Sequence, residues 1–88
     1  MERNYTINGV DFAVNADKLS GWHVFNLLKK AKTADNDYEQ VSALVEIACY
    51  ICDLSEDEFI EKCGGDDTHI QTIVSIATEL ISQAYPKN

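Results

Sequence analysis

Basic residues are scarce in this chain of 88 residues. Seven Lys and Arg stand against 15 Asp and Glu, for a formal net charge of -8. Nucleic-acid binding by phosphate neutralisation needs clustered Lys and Arg. The one basic cluster, Lys29, Lys30 and Lys32, is surrounded by acid, so no nucleic acid is expected as a partner and an anionic membrane is disfavoured. Long apolar runs are missing too: nothing reaches the roughly 18 residues of a membrane span. Met1-Glu2-Arg3-Asn4-Tyr5 leads into strand-like alternation, not the apolar core of a signal peptide. The protein is therefore expected to stay in the cytoplasm where it is made. Cysteine is sparse and odd in number; three thiols make a poor disulfide framework and are expected to be reduced. Gly64-Gly65 lacks the flanking Lys and Ser/Thr of a phosphate-cradling loop.

What is present suits one small globular domain spanning residues 1–88. Hydrophobic residues make up 45% of the chain, too many for a disordered segment and enough for one modest core. Its negative surface favours solubility and basic partners. The expected fold class is mainly α (α+β): an N-terminal β-hairpin, then about four helices in a small bundle. The hairpin, residues 3–14, is signalled by Asn8-Gly9, since both residues tolerate the positive φ of a type I′ turn. That two-residue loop sets Ile7 opposite Val10, Tyr5 opposite Phe12 and Arg3 opposite Val14. Tyr5, Ile7, Val10, Phe12 and Val14 then share one apolar side, while Asn4, Thr6, Asp11 and Ala13 share the other. A lone hairpin is marginal in water, so the apolar plate must be covered, and the helix that carries Trp22 is the expected cover.

Helical spacing predicts helices over 17–32, 38–53, 55–63 and 67–84. In the first, capped by Asp17 or Ser20, the main stripe is Leu19, Trp22, Phe25 and Leu28, with Val24, Leu27 and Ala31 on its flank. Three lysines in its last turns suit the helix dipole. The second, capped by Asp37, has a wide apolar face through Val41, Leu44, Val45, Ile47, Ala48, Ile51 and Cys52, which suggests a central position. Ser55-Glu56-Asp57-Glu58 reads as a capping box opening the third, which stops at Gly64-Gly65. Asp66 or Asp67 is the expected cap of the fourth, and Pro86 stops it.

Several residues could carry chemistry, and each has a plainer reading. Cys49 and Cys52 form a C-x-x-C, but late in a helix on its apolar stripe, where core cysteine is the better reading than a redox pair. Cys63 and His69 complete a set of four soft ligands without the spacing of a standard zinc finger, so neither metal nor cofactor is expected. His23 lacks a partner for acid–base catalysis. The acidic run Asp53 to Glu58 lacks the alternation and central Gly of a calcium loop, and its Asp53-Leu54-Ser55 order is not the Asp-Ser-Leu of an acyl carrier. No active site is expected; the chain is read as one that holds another protein.

A resemblance sharpens that reading. Tyr5-Thr6-Ile7-Asn8-Gly9-Val10-Asp11-Phe12, then Asn15-Ala16-Asp17, then Gly21-Trp22-His23-Val24-Phe25-Asn26-Leu27-Leu28 resembles the opening of the tail assembly chaperones of long-tailed phages and prophages. The likeness covers the first third of the chain; the remainder is similar in style. It implies a factor in the bacterial host cytoplasm, absent from the mature virion, that binds the tape measure protein, keeps it soluble and helps tail-tube subunits gather. The family commonly has a longer, frameshifted form. Self-association is a further option. Such a role asks for exposed apolar surface, and the candidates are Trp22, Phe25, Tyr38, Tyr50 and Tyr85. Core packing against the hairpin is the favoured place for Trp22 and Phe25, and Tyr50 and Tyr85 are the favoured interface residues. The alternative class is an acidic inhibitor or nucleic-acid mimic that presents Asp35, Asp37, Glu39 and Asp53 to Glu61 to a basic enzyme surface.

Overall fold

The computed structural model describes residues 1–86. Two strands, β1 (Glu2–Ile7) and β2 (Val10–Asn15), form an antiparallel hairpin, followed by a 3-10 turn at Ala16–Lys18. Four helices follow: α1 (Trp22–Lys32), α2 (Asp37–Cys52), α3 (Glu56–Cys63) and α4 (Ile70–Ala84). The expected architecture of a hairpin before about four helices is the observed one.

The hairpin register follows from its turn. Asn8 and Gly9 have φ of 52° and 76°, the left-handed pair a type I′ turn requires. Tyr5 pairs with Phe12 and Ile7 with Val10, so the alternation puts Ile7, Phe12 and Val14 into the core. The cover over this plate differs from expectation. β2 packs on α2 and β1 on α4, and the Phe59 ring of α3 lies 5.8 Å from Phe12. The main partner of α1 is α2 instead. Ala43, Ile47, Ala48 and Ile51 of α2 are completely buried, as a helix with neighbours on several sides must be.

Helix ends show where local chemistry decides. Ser55 and Glu58 make a full capping box at α3, each side chain bonded to the other's backbone N–H. Gly64 ends α3 at φ 130°, and a Cβ there would meet the Thr68 hydroxyl at 2.6 Å, so only glycine fits. Three expected caps are corrected. Neither Asp17 nor Ser20 starts α1: the Asn15 side chain accepts from the Asp17 N–H, diverts the chain into a 3-10 turn, and the helix begins at Trp22 behind Gly21. Asn36, not Asp37, caps α2 by accepting from the Glu39 N–H. His69, not Asp66 or Asp67, caps α4, its Nδ1 accepting from the Gln71 N–H.

Candidate protein-binding surface

Each α-helix repeats every 3.6 residues, so α1 can present two apolar arcs. One runs through Val24, Leu27, Leu28 and Ala31; the other through Trp22 and Phe25. The first is the buried one: Val24, Leu27 and Ala31 sit in the core against α2. Trp22 is 74% exposed and Phe25 50% exposed, their rings tilted against each other at 5.2 Å. This overturns the expected core placement of both. The physical reason lies in the charges. The Trp22–Phe25 arc continues into Lys29 and Lys32, whereas the Val24–Ala31 arc carries no charge at all. Burying the Trp22–Phe25 arc would strand two ammonium groups away from water.

Tyr50 and Tyr85, the expected interface aromatics, are engaged inside the molecule. The Tyr50 ring lies 4.5 Å from the His23 ring, and the Lys18 ammonium sits 4.5 Å above it. The Tyr85 hydroxyl donates to the Leu19 carbonyl, tying the end of α4 to the segment before α1. Burial and the neighbouring Tyr50 raise the Tyr85 phenol pKa, which keeps the proton that this bond uses. Both rings are half-buried.

Tyr38 has the opposite fate. It is 85% exposed in the first turn of α2. Beside it an open trough of about 340 Å³ runs between α2, α3 and α4, lined by Tyr38, Val41, Ser42, Val45, Glu56, Ile60, Ile70 and Ile73. Ile70, at the start of α4, lines it and is 52% exposed. Sequence reasoning missed Ile70. The missed signal was its position, directly after the His69 cap in the first turn of α4.

The chemical candidates separate in space or lose their reactivity. Burial pushes the Cys49 thiol up to about 11 and the Cys52 thiol to about 12, so both stay protonated and neither is a ready nucleophile. Cys49 donates weakly to the Ser55 carbonyl at 3.8 Å. Among the described residues no three His, Cys, Asp or Glu side chains converge as a metal set would. His69 is occupied as the α4 cap.

The acidic residues are partly committed to the fold. Asp53 pairs with Lys18 and accepts from the Asn15 amide; these bonds hold its carboxyl below the ordinary range. Glu58 is held low by the Ser55 backbone N–H and hydroxyl. Glu39 accepts from the Asp35 N–H, and Glu46 lies 3.5 Å from Lys30. No helix among the described residues is long and apolar enough to cross a membrane. Comparisons with protein-family models, with curated proteins and with solved structures found no match to this chain.

Proposed function

We propose that this protein is a phage tail assembly chaperone, working in the bacterial host cytoplasm, that binds the tape measure protein and keeps that long chain soluble while tail-tube subunits assemble. The observation that carries the reading is the exposure of Trp22, Phe25, Tyr38 and Ile70 on a chain of net charge -8. A solubilising holder needs both properties at once: apolar surface for the client, and a charged remainder that keeps the complex dispersed. The likeness of the Tyr5–Leu28 stretch to such chaperones supplies the identity of the client.

The acidic-mimic reading draws less support. Of the carboxylates it would need, Asp53, Glu39 and Glu58 are already bonded to the molecule's own donors. Mimicry asks for a face of free charge.

Co-expression with a tape measure fragment tests the proposal. The fragment is expected to remain soluble and to co-purify, and the complex to survive about 0.5 M salt, where the Debye length shrinks to roughly 4 Å. Complete loss of the complex in that salt points to mimicry, and a fragment that precipitates regardless removes the chaperone reading.

A further inference from the structure

We propose that the trough between α2, α3 and α4 is a seat for one amphipathic helix whose apolar stripe is flanked by Lys or Arg. This deepens the holding role proposed above and rests on it. The floor is built by three helices at once: Val41 and Val45 from α2, Ile60 from α3 and Ile73 from α4. Val45 and Ile73 are buried and belong to the core, so the floor is fixed before any partner arrives. Tyr38 and Ile70 stand at the exposed margins. Tyr38 and Val45 are seven positions apart on α2, roughly 10 Å at a helical rise, which matches two turns of a docked helix. Such grooves take their partner through apolar anchors spaced three and four residues apart.

The charge around the trough selects the flanks. Glu56 lies in its wall. Asp37 and Glu39 flank Tyr38 in the first turn of α2. No Lys or Arg lines it; Lys30 belongs to the depression beyond Tyr38 and is held by Glu46 at 3.5 Å. An acidic helix is repelled here and a basic one attracted. A second copy of this chain fits the seat poorly. It brings another -8, and its most lysine-rich helix, α1, has its charge-free apolar arc buried against α2 and leaves only Trp22 and Phe25 exposed, too short a stripe to span the two turns of the seat.

Two synthetic peptides of about 18 residues, long enough to be helical, test the seat. Both carry the same leucine stripe; one is flanked by Lys and the other by Glu. Titrated against the full chain by fluorescence anisotropy, the Lys peptide is expected to bind at least about tenfold tighter than the Glu peptide. Ile70→Glu is expected to weaken the Lys peptide by about tenfold or more, although it adds an attractive charge, because it removes an anchor. Tyr38→Ala is expected to act in the same direction. Ala13→Glu, on the outer face of the hairpin, adds the same charge away from the trough and is expected to leave the Lys peptide unaffected. Thermal unfolding of each variant checks that the fold is intact, and Tyr38→Ala serves should Ile70→Glu fail to fold. Equal binding of both peptides overturns the seat. So does retention of binding in Ile70→Glu with its loss when Trp22 and Phe25 are both changed to Ala, which places the peptide on α1. Concentration-dependent self-association abolished by Ile70→Glu assigns the trough to a second copy and overturns it as well. The two proposals fail separately. Co-purification of the tape measure fragment that ignores Ile70→Glu removes the seat and leaves the chaperone. Lys-peptide binding at the trough, with no tape measure binding, does the reverse.

Discussion

Two aromatic pairs in this molecule are built alike and end differently. Phe12 and Phe59 meet at 5.8 Å with neither ring exposed. Trp22 and Phe25 meet at 5.2 Å with at least half of each residue in water. The first pair joins elements far apart in sequence, a strand and a helix, so its contact closes the core. The second lies within one helix, three residues apart, and closes nothing. Size and hydrophobicity therefore do not assign an aromatic to the core here. What assigns it is whether its arc of the helix is free of charge. The closed pair should carry stability, and the open pair should carry association.

Breaking the closed pair is expected to have the largest effect. Phe59→Ala leaves a void under the hairpin that Phe12 alone cannot fill. Such truncations cost about 3–5 kcal/mol, against a total stability of about 5–15 kcal/mol for an ordinary domain. Urea unfolding monitored by circular dichroism should show the midpoint fall steeply. A loss below about 1 kcal/mol, the size of an ordinary single substitution, would mean that the hairpin does not depend on α3.

The thiols test the same closed region by chemistry. Cys49 and Cys52 are buried, and burial raises both pKa values, to about 11 and about 12. Cys63 is only half-buried, and its shift is upward from the same cause. An aromatic disulfide reagent at pH 8 should therefore label Cys63 first, with Cys49 and Cys52 slower by about a hundredfold or more, since the thiolate is the nucleophile. A raised thiol pKa favours the neutral folded form. The stability it contributes is complete below the ordinary thiol value and is lost as pH climbs toward 11, so alkaline unfolding should release all three thiols together. Equal labelling rates in the native protein would show that the α2 core opens freely.

How much of this contrast was legible in the sequence depends on how local its cause is. The hairpin was legible because Asn8-Gly9 dictates its own turn and the turn dictates the register. The α3 capping box was legible because Ser55 and Glu58 satisfy each other within four residues. The start of α1 was not, because the Asn15 side chain captures the Asp17 N–H first, and Lys18 is drawn to Asp53, far along the chain. The α4 cap was misplaced because Asp66 and Asp67 are the usual capping type, yet the glycine-led loop places the His69 imidazole at the helix end. The candidate surface was half legible. Tyr38 was named among the candidates and is exposed, Tyr50 and Tyr85 turned inward through contacts that no spacing reveals, and Ile70 went unseen. Period alone could not choose between the two arcs of α1; the positions of Lys29 and Lys32 could have.

A smaller effect is expected at the α3 cap, which holds Phe59 in place from a distance. Ser55→Ala removes one half of the box and should cost about 1 kcal/mol. Acid should act on the other half. The folded pKa of Glu58 is held below its ordinary value by the Ser55 backbone N–H and hydroxyl. Its contribution is therefore present above the ordinary glutamate value and lost as pH falls through the lowered one. Ser55→Ala keeps the backbone N–H, the larger cause, and should flatten that acid limb only in part, whereas Glu58→Gln should flatten it fully. An acid limb unchanged in Glu58→Gln would place the acid sensitivity elsewhere, with the Asp53–Lys18 pair the first alternative.

The smallest effect on stability is expected at the open pair, and it makes the sharpest test of the comparison. Trp22→Ala removes the largest side chain in the molecule, a change that in a core costs about 3–5 kcal/mol. At 74% exposure, in the first turn of a helix behind Gly21, it should cost less than about 0.5 kcal/mol, the range of surface substitutions. Removal of an exposed aromatic can even raise stability slightly, since Ala is the better helix former. Thermal unfolding of Trp22→Ala and Phe59→Ala side by side gives the decisive reading. Two similar losses would mean that α1 folds its Trp22 arc inward and that the two pairs are the same after all. A large loss for one and almost none for the other leaves Trp22 as surface that the fold does not need, whose retention has to be explained by what it touches outside the chain.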